Sequence, residues 1–122
     1  MMYNTFIIMN VSSANTNSRQ IAEVFALLGQ PARLQIILAI GTEKVCVCQL
    51  EKLLGSRQAY ISQQLMLLRE AALVDTERVG RHIFYYIPDQ RWLTMIQQSA
   101  AIQGIDLPQF ELPAIENCEY KP

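Results

Sequence analysis

Val47-Cys48-Gln49-Leu50-Glu51-Lys52-Leu53-Leu54-Gly55-Ser56-Arg57-Gln58-Ala59-Tyr60-Ile61-Ser62-Gln63-Gln64-Leu65-Met66-Leu67-Leu68 turns on one glycine. Before it, Val47, Leu50, Leu53 and Leu54 recur at helical spacing. After it, Ser56 is a good N-cap and predicts a helix over 57–71. In that helix Ile61, Leu65, Leu68 and Ala72 make an apolar stripe, and Gln58, Ala59, Ser62, Gln63 and Met66 an opposite, mostly polar one. A short helix, a Gly-containing turn and an amphipathic helix form the helix-turn-helix pattern.

Downstream the period changes from helical to alternating. Val74, Thr76 and Arg78 alternate with acids, and Ile83, Tyr85 and Ile87 alternate with Phe84 and Tyr86. Val79-Gly80-Arg81-His82 between them predicts a hairpin with bases at its tip. Pro88-Asp89 then opens a last helix over 89–103, with Trp92, Leu93, Ile96 and Ala100 on its apolar face. Upstream, Ile21, Val24, Phe25 and Leu28 set a helix over 18–28 that Gly29 ends. Pro31 suits the first turn of a nearly all-apolar helix over 31–40. The expected fold is mainly α with a small β-hairpin, a winged helix-turn-helix of order ααααββα. Residues 18–103 form the domain, preceded by a partly disordered segment 1–17 and followed by an acidic, Pro-containing tail 104–122. Met95 and Ile102 widen the apolar surface of the last helix beyond the needs of one core, which points to a homodimer through helices 18–28 and 89–103.

The chain has 122 residues, 51% hydrophobic and 17% charged, enough for one domain with its own core. A net charge of −1 lowers the prior for nucleic acid, but its distribution is uneven. Residues 52–91 carry six bases and four acids, whereas residues from 104 onward carry four acids and one base. The apolar run Phe6-Ile7-Ile8-Met9 is too short for a signal or a membrane span. The three cysteines are Cys46, Cys48 and Cys118. Adjacent-but-one cysteines rarely bridge each other, so the chain reads as cytoplasmic with reduced thiols. With one histidine, His82, and no phosphate loop or nucleophile elbow, it does not read as an enzyme.

Cys46-Val47-Cys48 is a potential chelating pair at the opening of the first helix of the motif. In a regular helix, residues i and i+2 point about 200° apart. In extended backbone they point the same way. The pair therefore works if 46–48 straddles the helix start or if binding distorts the first turn. Thiolates select soft ions. The bland alternative is two small core residues. On the polar stripe Gln is suited to adenine, Ser to base edge or phosphate, and Arg57 to phosphate. The candidate DNA-contacting set is Ser56, Arg57, Gln58, Tyr60, Ser62, Gln63, Gln64 and, on the hairpin, Arg78, Arg81 and His82. An ordinary solvated face and turn remain the alternative.

Four stretches in register make the resemblance specific: 26–34 (Ala-Leu-Leu-Gly-Gln-Pro-Ala-Arg-Leu), 46–50 (Cys-Val-Cys-Gln-Leu), Ser62 to Val74, and Gly80 to Tyr86. Residues 19–96 resemble the ArsR/SmtB family of metal-responsive winged-helix repressors. The resemblance implies a homodimer bound to double-stranded operator DNA and released when As(III) or Sb(III), or another thiophilic ion such as Cd or Pb, binds Cys46 and Cys48. A third cysteine of the arsenite-type pattern is here Glu51, which leaves two thiols or Cys118 as the further ligand. The family's zinc site in the last helix is not expected, because Asp89 fits its first position but Arg91 stands where a histidine should be. Two other readings stay open: a thiol redox or persulfide sensor on the same scaffold, and a dimeric interaction domain without DNA affinity.

Overall fold

The computed structural model describes residues 12–115. Helix α1 (Ser12–Leu28) is followed by α2 (Pro31–Ile40), α3 (Val47–Leu54) and α4 (Gln58–Glu70). Strands β1 (Asp75–Val79) and β2 (His82–Tyr86) come next, and α5 (Arg91–Gln103) closes the fold. This is the expected winged helix-turn-helix order.

Helix α2 is the centre. Ile36, Ile37, Ala39 and Ile40 are all buried, as its unbroken apolar run requires. Around it gather Leu50 of α3, Ile61, Leu65 and Leu68 of α4, and Leu93 and Ile96 of α5. Between α3 and α4, Gly55 takes a left-handed conformation (φ 67°) and its N–H reaches the Glu51 carbonyl at 2.9 Å. Glycine pays no Cβ penalty there, so the chain reverses within three residues. The strands pair antiparallel, from Asp75 opposite Tyr86 to Val79 opposite His82. Gly80 (φ 61°) supplies the positive φ of the two-residue turn.

Several boundaries differ from the sequence reading. Helix α1 starts at Ser12, so residues 12–17, expected to be partly disordered, are helical; residues 1–11 lie outside the described part. Ser56 does not cap α4: Arg57 is the N-cap, in extended conformation, with no side-chain cap bond. Ala72 is not on the apolar stripe, because α4 stops at Glu70 and Ala72 is exposed with φ 63°. Helix α5 starts two residues late, at Arg91, and the Asp89 carboxylate bonds that residue at the exposed surface. It accepts the Arg91 backbone N–H at 3.1 Å and pairs with the guanidinium at 2.7 Å. That pairing holds the Asp89 carboxyl down at about 2.

Two long-range features have no local sequence signal. Val45 exchanges backbone hydrogen bonds with Tyr85, so the residue before Cys46 is stitched to the second strand of the wing. The described part of the tail is not detached: Leu107, Phe110 and Leu112 pack against the core. Among the described residues no single helix is long and apolar enough to cross a membrane.

Candidate functional site

Two neighbouring regions hold the candidate site residues. The first is the outward face of α4. Ile61, Leu65 and Leu68 sink into the core, which turns the opposite side to solvent. Arg57, Gln58, Tyr60 and Gln63 are exposed there, and Ser62 is half-buried beside them, as is Ser56 in the turn. On the wing, Arg78 and Arg81 are exposed. His82 is half-buried, its ring 6.0 Å from that of Phe84. One member of the sequence set is buried instead. Gln64 is 7% exposed, and its Oε1 accepts the Arg33 Nε–H at 2.7 Å. Arg33 also donates from Nη1 to the Leu27 carbonyl at 3.1 Å. Gln64 therefore fastens α4 to the α1–α2 junction rather than facing outward. Period alone placed it at the edge of the polar stripe; a buried glutamine is recognisable only once its partner across the fold is known.

The second region is the start of α3. Cys46 is the N-cap residue, with extended backbone (φ −98°, ψ 161°), and the helix runs from Val47. The segment 46–48 thus straddles the helix start, which is the geometry a chelating pair at i and i+2 needs. Cys46 is buried (4% exposed) and is a free thiol. Cys48, half-buried in the first turn, is disulfide-bonded. That departs from the reduced thiols expected, and Cys118 lies outside the described residues. No group of three His, Cys, Asp or Glu side chains suited to a metal occurs among the described residues. As a donor set the two thiols fit a soft ion in their reduced form, with any third sulfur coming from elsewhere.

Gln49 was overlooked in the sequence and connects this region to the rest. It is 8% exposed. Its Oε1 accepts the Cys46 N–H at 3.0 Å, the reach-back half of a capping box. Its Nε2 donates to the Pro113 carbonyl at 2.8 Å, pinning the tail over the helix start. A groove of about 570 Å³ lies between residues 38–44 and 110–113 at this junction. Lys44, on the other side of Val45, pairs with Glu77 of β1 and lies over the Tyr86 ring, 5.2 Å from its centroid. The Glu77 carboxylate raises the Lys44 pKa above its ordinary value. The thiol segment is thus tied to the wing through Val45 and Lys44 and to the tail through Gln49.

The profile described as "Bacterial regulatory protein, arsR family" matches residues 30–76. The chain is similar to the "Transcriptional repressor SmtB homolog" of Synechocystis, at 32% identity over 83 residues, 68% of this chain and 63% of that protein. It is 36% identical over 83 residues to the "Biofilm growth-associated repressor" of Agrobacterium fabrum, 68% of this chain and 71% of that protein. Among solved structures, the transcriptional repressor BigR from Xylella fastidiosa superposes with a TM-score of 0.65 at 26% identity, over 75% of this chain and 93% of that one.

Proposed function

Because this chain belongs to the ArsR/SmtB family of transcriptional regulators, we propose that it is a homodimeric repressor, released from operator DNA by a thiophilic metalloid. One helix α4 of each protomer enters a major groove, with Gln58, Ser62 and Gln63 toward base edges. Arg57 and the wing bases Arg78 and Arg81 hold phosphate, which sets register and most of the salt-dependent affinity. Dimerisation uses α1 and α5. Ile21 and Phe25 on α1 are 59% and 57% exposed and Ile102 of α5 is 87% exposed, apolar surface that a second copy would cover.

The inducer is As(III) or Sb(III), held by Cys46 and Cys48, with Cys118 as the third sulfur. The observation that carries this reading is the position of Cys46: it caps the first helix of the helix-turn-helix, one residue after the backbone pairing of Val45 with Tyr85 of the wing. The segment 46–48 already straddles the helix start, and closing both sulfurs onto one ion pulls on the first turn of α3, which Cys46 caps. That pull shifts α3 under α4 at one end and Val45 under the wing at the other. Both DNA-contacting elements then lose their relative placement. By linkage, DNA must weaken metalloid affinity by the same factor.

The test is a titration of reduced protein with arsenite, antimonite, cadmium and lead, with DNA binding followed by fluorescence anisotropy. The operator is first selected from a random duplex pool by the metal-free protein. Release by arsenite or antimonite at lower concentration than by cadmium or lead is expected. Stable DNA binding throughout would refute the inducer assignment. The second reading, a thiol redox regulator on the same scaffold, is favoured by the disulfide-bonded state of Cys48. In the same assay, release by a mild oxidant with no response to any of the four ions would establish it.

A further inference from the structure

The exposed apolar side chains fall into groups. Ile21, Phe25, Ile102 and Ile105 lie on or beside the two helices proposed to meet a second copy. Val79 and Ile83 flank the tip of the wing, and Tyr60 lies in the first turn of α4. Met66 stands apart: it is 54% exposed, in the second half of α4, and no contact described so far uses it. A lone apolar residue at a surface needs no explanation. Met66 is distinguished by its neighbours. Leu65 and Leu68 on either side are buried, which turns Met66 outward with Ser62 and Gln63, four and three residues before it. Glu70, one turn further on, is exposed and carries a carboxylate that phosphate repels. The strip of α4 that can approach a groove therefore ends at Met66.

Hydrogen-bonding side chains read the polar edges of base pairs, but the major groove also displays one apolar group, the C5-methyl of thymine. Gln58, Ser62 and Gln63 are built for the polar edges. Ala59 is exposed on the same face but ends one carbon from the backbone. Methionine has three rotatable side-chain bonds and a polarisable thioether, which suit it to adaptable apolar contact. Residues at the start of a recognition helix come nearest the bases. The length of Met66 offsets its place further along.

We infer that Met66 is a specificity-determining contact, which reads the C5-methyl of a thymine in each half of the operator. This rests on the proposed placement of α4 in the major groove. Met66 lies about one helical turn, roughly 5 Å, beyond Gln63. A base-pair step is about 3.4 Å. The thymine should therefore fall one or two steps from the adenine that suits Gln63. Burying one methyl is worth a ~4-fold gain in affinity. A twofold operator presents it twice, so the symmetric pair is worth ~15-fold.

The experiment uses reduced, metal-free, full-length protein and the operator it selects from a random duplex pool. Each thymine, with its symmetry mate, is replaced by deoxyuridine, which keeps the hydrogen-bonding groups and removes only the C5-methyl. Anisotropy competition should find one pair whose replacement weakens binding ~15-fold. Bromodeoxyuridine, whose C5 bromine fills the methyl's place, should restore affinity there. Met66→Ala should bind the thymine and deoxyuridine operators equally and keep the adenine preference assigned to Gln63. Met66→Leu, of similar volume, should keep the discrimination. Both variants leave the core intact, because Met66 is exposed. Deoxyuridine tolerated at every position would overturn the inference, and so would discrimination that survives in Met66→Ala. A loss that bromine does not restore would trace to duplex deformability and overturn it too. Failure to enrich any sequence would instead sink the repressor reading, and this inference with it.

Discussion

The outward face of α4 and the start of α3 stand next to each other but are supported in different ways. The first is a row of exposed side chains on a regular helix whose opposite side is sunk in the core. The second is a buried turn meshed with two other parts: the wing, through Val45 to β2 and Lys44 to β1, and the tail, through Gln49. A surface of the first kind can be altered one contact at a time. A turn of the second kind passes any distortion to its neighbours. The difference suits the two tasks proposed for them, because readout needs independent contacts and sensing needs a coupled one. Substitutions on the α4 face should change DNA affinity and leave the inducer response intact, and substitutions at the α3 turn should do the reverse.

The largest effect should come from the thiols. Cys46→Ser and Cys48→Ser should each keep operator affinity near wild type and shift arsenite release by more than about 100-fold, since a serine hydroxyl is a hard and weak substitute for a thiolate arm. Anisotropy titrations with arsenite check this. Release of either variant at the wild-type arsenite concentration would break the contrast between the two regions. Loss of DNA binding in both would show that the turn is structural.

Next in size are the DNA contacts. Gln63→Ala should weaken the selected operator by about 2 kcal/mol and relax base preference, because the proposed reading sets this exposed glutamine against a base edge. Arg81→Ala should weaken specific and random duplex alike and lower the slope of log affinity against log salt by about 0.9. Equal loss on specific and random DNA for the Gln63 variant would remove its role in readout.

Gln63 and Gln64 also show how far the sequence could be read. The order of elements, the central helix and the polar stripe of α4 follow from period and from Gly55 and Gly80, because each is a local property. Contacts between residues distant in sequence had no such signal. Gln64 looks like its neighbour in sequence, yet it is buried against Arg33, 31 residues away. Gln49 looks like a surface residue and instead bonds the thiol turn to the tail, 64 residues away. The Val45–Tyr85 pairing adds a bridge to the wing at a position where the sequence shows no strand pattern. Gln64→Ala should accordingly cost about 1.5 kcal/mol of folding stability, by stripping an acceptor from a partly buried guanidinium. Its base preference should match wild type. Denaturant melts and the same selection assay decide it, and relaxed base preference with unchanged stability would return Gln64 to the DNA face.

The smallest effect lies at the far end of α4. The Leu73 N–H bonds the Leu68 carbonyl at 3.0 Å and the Ala72 N–H bonds the Arg69 carbonyl at 2.9 Å, the two bonds of a Schellman motif. Leu68 and Leu73 are both fully buried, as the hydrophobic contact of that motif requires. The residue that turns the chain is Ala72, at φ 63°, where glycine is the usual occupant. An L-residue there costs roughly 1–2 kcal/mol, and glycine returns part of the difference through greater unfolded-state entropy. Ala72→Gly should therefore stabilise the protein by a net ~0.5–1 kcal/mol, a rise of about 2–5 °C in Tm. Ala72 is exposed and lies beyond the last residue of α4, whereas Cys46 caps the helix before it. Operator affinity and arsenite release should both stay unchanged. A higher Tm with an altered arsenite response would mean that the coupling runs the whole length of α4, and that its two ends are not separable in the way the comparison with the α3 turn requires.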